Sequence, residues 1–341
     1  MTTSTAPLTK KDFASDVDVK WCPGCGDYAI LSAVQSTLPE LGIPKEQIVF
    51  VSGIGCSSRF PHYLSTYGFH TIHGRAPAVA TGLKLANPEL SVWVITGDGD
   101  GLSIGASHLA HLLRRNVGLK VLLFNNNIYG LTKGQYSPTS QTGTKTKSTP
   151  YGSLDNAFQP LTYALGSGAT FVARSTDKDP KHLQAMFKRA ADHQGTALIE
   201  ILQNCVIFND GVHNSVTTPA TKQLNQLVLE HGKPLRFGTE AEPKGIRINP
   251  QTAALEVVSL NGPDAVSESA LLVHDEQNPN PAVPLLLSQL AEPTALGVLR
   301  CLPTESYESQ VHEQISAVQA AKPNPDLQAQ IASRETWTIK G

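Results

Sequence analysis

Between residue 48 and about residue 202 the chain alternates short, wholly apolar runs with segments of helical spacing, and few architectures can hold that pattern. Ile48-Val49-Phe50-Val51 runs into Ser52-Gly53, which predicts a strand ending in a turn. Residues 75–86 are rich in Ala, carry Leu83 and Leu85, and are stopped by Asn87-Pro88, which predicts a helix. A strand follows at residues 91–96 and breaks at Gly97-Asp98-Gly99. Further helices are expected over residues 102–115 and 182–191, with strands at 121–124 and 197–202. Strands without a polar alternation have no face for water, so they belong to a sheet covered on both sides. The expected class is α/β, a mostly parallel sheet with helices on both faces. After residue 210 the pattern turns irregular, with a weak strand at Leu271-Leu272-Val273 and a Pro-rich turn at 278–284. Residues 1–209 are therefore expected to form the main domain. Residues 210–341 are expected to be a smaller C-terminal extension whose last ~40 residues are an extended tail.

Open parallel sheets bind ligands beyond the carboxyl ends of their strands. The unusual sequences of this chain all fall there, at residues 53–59, 97–101 and 125–135. Gly97-Asp98-Gly99, followed after 25 residues by Asn125-Asn126, fits the pattern of thiamine-diphosphate enzymes. The chemistry accounts for the residue types. A diphosphate needs a divalent cation, and Mg²⁺ takes six oxygens. Asp98 offers a carboxylate, Asn126 an amide oxygen and Ile128 a main-chain carbonyl. The glycines let backbone N–H groups approach phosphate at a helix N-terminus. A Rossmann dinucleotide site is disfavoured, because no Gly-x-Gly-x-x-Gly follows the first strand.

Five cysteines are present, Cys22, Cys25, Cys56, Cys205 and Cys301. Cys22 and Cys25 form a Cys-x-x-Cys pair before a predicted helix (28–38), whereas Cys56 and Cys205 follow predicted strands. Four thiolates from these places suit structural zinc or a [4Fe–4S] cluster, and spacing alone does not separate the two. A thioredoxin-like pair would need a preceding strand that is lacking. The position of Cys56 beside the thiamine motif favours the cluster, since oxidative chemistry there requires a nearby electron acceptor. Cys301 stands alone and reads as a buried structural thiol.

Composition narrows the partners. Of 341 residues 40% are apolar and 16% charged, and the formal net charge is −2, so no basic surplus exists to bind nucleic acid. The N-terminus lacks the apolar core of a signal peptide, and apolar stretches such as Val92-Trp93-Val94-Ile95 are strand-sized. A cytoplasmic protein without a membrane partner is expected.

The chain also resembles a known family, in order along its length. The matching segments are Trp21-Cys22-Pro23-Gly24-Cys25-Gly26, Gly53-Ile54-Gly55-Cys56-Ser57-Ser58-Arg59 and the run from Gly68 to Ala76. They continue with Gly97-Asp98-Gly99-Asp100 and the run from Ile128 to Ser140. Together they resemble the β subunits of 2-oxoacid:ferredoxin oxidoreductases over roughly residues 15 to 300. The resemblance implies a thiamine-diphosphate-binding fold and the CoA-acylating oxidative decarboxylation of a 2-oxoacid, with electrons leaving for ferredoxin. It implies that Cys22, Cys25, Cys56 and Cys205 ligate one [4Fe–4S] cluster and that Asp98, Asn126 and Ile128 hold Mg²⁺. Thiamine diphosphate would be lined by Ile54, Gly55, Cys56, Ser57, His73, Gly99 and Asp100, then by Gly130, Leu131, Thr132, Lys133, Gly134 and Gln135.

Arg59 and Lys133 are the candidate substrate residues, as cations that bind carboxylates, the distal one of 2-oxoglutarate included. Leu131-Thr132-Lys133-Gly134-Gln135 resembles the 2-oxoglutarate and broad-specificity members, so 2-oxoglutarate is favoured over pyruvate. No Cys-x-x-Cys-x-x-Cys-x-x-x-Cys run is present, so no two-cluster ferredoxin domain is built in. No glutamate stands out to activate the aminopyrimidine, which in this family comes from an α subunit. An αβ or (αβ)₂ assembly follows, with the isolated chain inactive. His62 and His70 read as structural, and His108 and His111 as packing or partner contacts. The polar loop 137–150 is expected to order over substrate or against the α subunit. Two rivals remain at this point: a non-oxidative thiamine enzyme without a cluster, and a non-catalytic, zinc-stabilised assembly subunit.

Overall fold

The computed structural model describes residues 8–321, 326–333 and 335–341. The first six strands are β1 (Ile48–Ser52), β2 (Tyr67–His70), β3 (Ser91–Gly97), β4 (Leu119–Asn125), β5 (Phe171–Thr176) and β6 (Ala197–Leu202). They pair in parallel, and their order in the sheet is β2-β1-β3-β4-β6-β5. The chain leaves β1 toward β2 and returns on the other side of β1 as β3. Connections therefore diverge at the β1/β3 boundary, and an open sheet forms its ligand crevice at such a point.

Six helices matter for the site: α1 (Asp27–Thr37), α2 (Ala76–Ala86), α3 (Asp98–Leu102), α4 (Ala106–Arg115), α5 (Pro160–Gly166) and α6 (Pro180–Asp192). Because side chains alternate across a strand, each apolar run feeds two cores. Val49, Val51, Val92, Val94, Val121 and Leu123 pack on one face with Leu109, Leu112 and Leu113 of α4. Phe50, Trp93, Ile95, Leu122 and Phe124 pack on the other, with Ile30 and Val34 of α1 and Leu183 and Phe187 of α6. A polar residue on either side would face a helix, which is why these strands read as continuous hydrophobic runs.

The structure departs from expectation in three places. The helix expected over residues 102–115 is two: α3 starts directly at Asp98, and the chain breaks at Ser103 (φ −99°, ψ −106°) before α4. Beyond residue 210 the chain does more than decorate the main domain. After β7 (Gln226–Val228), strands β8 (Arg236–Gly238), β9 (Pro243–Ile248) and β10 (Leu255–Ser259) form a separate antiparallel sheet. Strand β11 (Thr294–Cys301) returns to the main sheet, antiparallel to β5 and parallel to β7. Leu271-Leu272-Val273 forms no strand, only an isolated bridge between Pro234 and Val273. The extended tail is also corrected, since Tyr307–Ala321 is a helix. It is rich in good helix formers and is tied down where Glu308 Oε2 accepts from Gly118 N–H at 2.9 Å. Among the described residues no helix is long and apolar enough to cross a membrane.

One buried ion pair holds the site end of the sheet. Arg174 Nε of β5 donates to Glu200 Oε2 of β6 at 2.6 Å, and Glu200 Oε1 accepts from Asn125 Nδ2 at the end of β4 at 2.7 Å. Removing one member of such a pair strands the other charge in the core. Arg174→Met is expected to cost about 3–5 kcal/mol, read as a lower urea midpoint; an unchanged midpoint would show the pair to be dispensable.

Candidate active site

The carboxyl end of β3 carries two buried carboxylates with different surroundings. Asp100 is saturated by protein donors. Its Oδ1 accepts from Ile54 N–H (3.0 Å) and Gly74 N–H (2.8 Å) and lies 2.7 Å from His73 Nδ1. Its Oδ2 accepts from Thr96 Oγ1 at 2.7 Å. One side chain thus pins the loops that follow β1, β2 and β3. Asp98 is only 2% exposed but has fewer partners: Ser137 Oγ and Thr139 Oγ1, each 2.6 Å from Oδ2. Among the described residues no cation pairs with it, and burial pushes its carboxyl up to about 6. A buried carboxylate supported by two hydroxyls leaves room for a positive charge.

Asn126, at the end of β4, donates through Nδ2 to Gln203 Oε1 (2.8 Å), while its Oδ1 accepts from Ile128 N–H (3.1 Å). Its neighbour Asn125 is consumed structurally, by Glu200 on one side and Thr139 on the other. Asp98, Asn126 and Ile128 line one cleft together with Ile54, Gly55, Cys56 and Ser57. His73, Gly99, Asp100, Gly130, Leu131 and Thr132 complete its wall. Tyr129 closes one side, with its hydroxyl donating to Gly99 O at 2.9 Å. A Cβ on Gly99 would sit 2.2 Å from that ring, so only glycine permits the approach. Lys133, Gly134 and Gln135 are not brought into this wall. They close the turn behind it, where Gly134 N–H donates to Tyr129 O and Tyr129 N–H to Gln135 O.

The four candidate cysteines line an adjoining cleft, which shares Cys56, Asn126, Gly130, Leu131 and Gln203 with the first. Hydrogen bonds between distant segments bring the thiols together. Trp21 Nε1 donates to Cys56 O at 2.7 Å, and Gly26 N–H donates to Asn204 O, beside Cys205, at 3.1 Å. A Cβ on Gly130 would stand 3.6 Å from the sulfurs of both Cys56 and Cys205, which locates their convergence. Cys22 is exposed and the other three are half-buried. Burial pushes the Cys56 thiol up to about 12, reinforced by Asp27 and the neighbouring thiols; Cys25 is raised for the same reasons. Among the described residues no three His, Cys, Asp or Glu side chains gather tightly enough to hold a single ion. Cys301 lies apart, half-buried near His193.

Arg59 and Lys133 both line the cysteine cleft. Arg59 Nη1 donates to Lys20 O at 3.2 Å. Lys133 has a left-handed backbone (φ 77°), uncommon for a side-chain-bearing residue, held by its N–H donating to Gly130 O at 3.0 Å. A roomier groove lies at the amino ends of the strands, but its two lysines are spent on main chain. Lys84 donates to Pro88 O and Leu90 O, and Lys120 to His193 O. Sequence pattern did not single out Ser137, Thr139 or Gln203. Ser137 and Thr139 belong to the polar loop at 137–150, whose beginning is buried against Asp98.

Comparison with known proteins agrees with this arrangement. Residues 53–201 match the thiamine pyrophosphate enzyme family, C-terminal TPP binding domain. The chain is 50% identical over 343 residues to the 2-oxoglutarate oxidoreductase subunit KorB of Mycobacterium tuberculosis, covering 99% of this chain and 90% of that one. It is 51% identical over 192 residues to the 2-oxoacid:ferredoxin oxidoreductase subunit beta of Saccharolobus solfataricus, 56% of this chain and 63% of the relative. A solved structure of 2-oxoglutarate:ferredoxin oxidoreductase from Magnetococcus marinus, with 2-oxoglutarate, coenzyme A and succinyl-CoA bound, superposes with a TM-score of 0.75 at 32% identity. It covers 96% of this chain and 97% of that one. Fold and site thus define a thiamine-diphosphate-binding α/β domain of an oxidoreductase. The chain belongs to the β subunits of the 2-oxoacid:ferredoxin oxidoreductases.

Asp100 provides a test of this geometry. Asp100→Ala strands the N–H groups of Ile54 and Gly74, at about 1–3 kcal/mol for each buried donor. Amide exchange at both residues is expected to accelerate relative to the β3 and β4 amides; unchanged protection would show that other contacts hold these loops.

Proposed function

We propose that this chain is the β subunit of a CoA-acylating 2-oxoglutarate:ferredoxin oxidoreductase. The balanced reaction takes 2-oxoglutarate, coenzyme A and two oxidised ferredoxins to succinyl-CoA, CO₂, two reduced ferredoxins and a proton. Thiamine diphosphate, when bound, supplies the carbon nucleophile that makes decarboxylation possible. The observation that carries the reading is the shared wall: four cysteines line a cleft that has Cys56, Asn126 and Gly130 in common with the cleft of Asp98 and Ile128.

The donor sets fit the two metal groups. Asp98, Asn126 and Ile128 offer hard oxygens, and a divalent cation there would supply the charge that the buried Asp98 lacks. Cys22, Cys25, Cys56 and Cys205 suit a [4Fe–4S] cluster, in which each thiolate binds a different iron and the sulfurs stand apart. Zinc would instead draw them to one point at about 2.3 Å each. A cationic cluster core also offsets the cost that burial places on the thiolates.

Within this reading Ile54–Ser57, His73, Gly99 and Gly130–Thr132 surround thiamine diphosphate. Asp100 acts behind them, holding the Ile54 and His73-Gly74 loops in place. Arg59 and Lys133 offer charge to substrate carboxylates from the cysteine side. The activating carboxylate has to come from another chain. Among the described residues no glutamate lines the thiamine cleft, and in this reading its two aspartates have other roles, Asp98 toward the cation and Asp100 toward the loops. The rim supports a partner as well: β2 is exposed along its length, and Ile72, Ile104 and Val79 are exposed large apolar side chains. An α subunit in an αβ or (αβ)₂ enzyme is the partner proposed.

Iron, acid-labile sulfide and Mg²⁺ analysis of the assembled enzyme tests the reading. Four irons, four sulfides and one Mg²⁺ per β chain are expected, whereas zinc without sulfide would sink it. Lys133→Ala tests the substrate. Loss of a charged hydrogen bond is worth about 1.5–3 kcal/mol, so kcat/KM for 2-oxoglutarate is expected to fall by roughly tenfold or more while pyruvate use stays near its wild-type level. Equal losses would remove Lys133 from specificity.

A further inference from the structure

Gln203, one residue beyond β6, lies in the wall between the two clefts and is 1% exposed. A glutamine amide has two N–H donors and one carbonyl acceptor, and all three functions are in use here. Nε2 donates to Asn204 O at 2.6 Å and to Cys25 Sγ at 3.4 Å. Oε1 accepts from Asn126 Nδ2 at 2.8 Å. A buried glutamine that only filled space would need no more than main-chain partners. Two of these three contacts instead go to side chains assigned to different metal groups.

Each contact has a consequence. Asn126 commits its NH₂ to Gln203, so its amide cannot flip without breaking that bond, and Oδ1 is kept on the opposite side. An N–H donor on a ligating sulfur stabilises the extra negative charge of a reduced cluster and raises its potential. Outer partners that orient a metal ligand typically change metal affinity 10–100-fold when removed.

We propose that Gln203 is a positioning residue that serves both centres at once, holding the Asn126 amide so that its oxygen, which accepts from Ile128 N–H, keeps its second lone pair for the divalent cation, and donating an N–H···S bond to Cys25. The inference rests on the metal assignments above and adds a residue that links them. Substituents on this single side chain then govern both the Mg²⁺ requirement for thiamine diphosphate and the reduction potential of the cluster.

The test uses the assembled αβ enzyme with Gln203→Met and Gln203→Glu. Gln203→Met keeps the length of the side chain and removes all three hydrogen bonds. The Mg²⁺ concentration needed for thiamine diphosphate binding, followed by calorimetry, is expected to rise roughly 10–100-fold. The midpoint potential of the cluster, followed by EPR, is expected to become more negative. Gln203→Glu keeps an oxygen for Asn126 but offers no N–H to Cys25, so its Mg²⁺ requirement stays near wild type while the potential still falls. If Gln203→Met yields no folded enzyme, this second variant carries the potential measurement. A wild-type enzyme without iron and sulfide overturns the functional reading and this inference together. A wild-type enzyme that holds both, alongside variants with its Mg²⁺ requirement and its potential, overturns the inference alone.

Discussion

The site depends first on the carboxylate of Asp100. The loops after β1 and β2 must meet the end of β3 at one place, and each of the three segments brings a main-chain or side-chain donor to the same carboxylate. A carboxylate accepts several such bonds at once and is itself stabilised by them. Two residues earlier, Asp98 sits at the same strand end with two hydroxyl donors and, among the described residues, no cationic side chain. The backbone geometry of α3 separates the two roles: its first turn directs the donors of the neighbouring loops onto Asp100 and leaves Asp98 facing the cleft. One carboxylate builds the site and the other stays chemically available.

Much of this was legible in the sequence because it depends on local patterning. Uninterrupted apolar strands reveal a sheet buried on both faces, and the strand boundaries then place Gly97-Asp98-Gly99, Asn125-Asn126 and Cys56 at one end. The less legible parts have non-local causes. Ser137 and Thr139 lie in a run of Ser, Thr and Gly that reads as a solvated loop, and only the partner at Asp98 explains their burial. Gln203 is one polar residue after a strand, with significance only through Asn126 and Cys25. The β8–β10 sheet is built from short strands with charged residues such as Arg247 and Glu256, whose cross-strand pairing sequence periodicity does not reveal. Helix Tyr307–Ala321 has a weak apolar stripe and is anchored at its start by Glu308 on the Gly118 amide, so its docking was hidden as well.

The two cations read from sequence as substrate residues acquire a sharper setting. Arg59 and Lys133 line the cysteine cleft, and the wall shared with the thiamine cleft is formed by Leu131 and Gly130 of the same turn that carries Lys133. The left-handed backbone at Lys133 allows that turn to close, with Gly134 completing it. Strain of this kind costs of order 1–3 kcal/mol and persists where surrounding contacts over-determine it. Here the contacts are the bonds linking Tyr129, Gly130, Lys133 and Gln135. Within the proposed reading, substrate charge and cofactor wall therefore share seven consecutive residues, 129–135, which also border the cysteine cleft.

That shared border bears on the direction of electron movement. Within the proposed reading, Cys56 belongs to both clefts and is half-buried, whereas Cys22 lines only the cysteine cleft and is exposed. An electron entering at the shared wall and leaving at the surface would cross a single cluster. The segments holding the two ends are joined by the Trp21 indole on the Cys56 carbonyl. Within the proposed reading, a fold that passes electrons outward needs one ligand against the thiamine cleft and another at the surface, and Cys56 and Cys22 fit those two places.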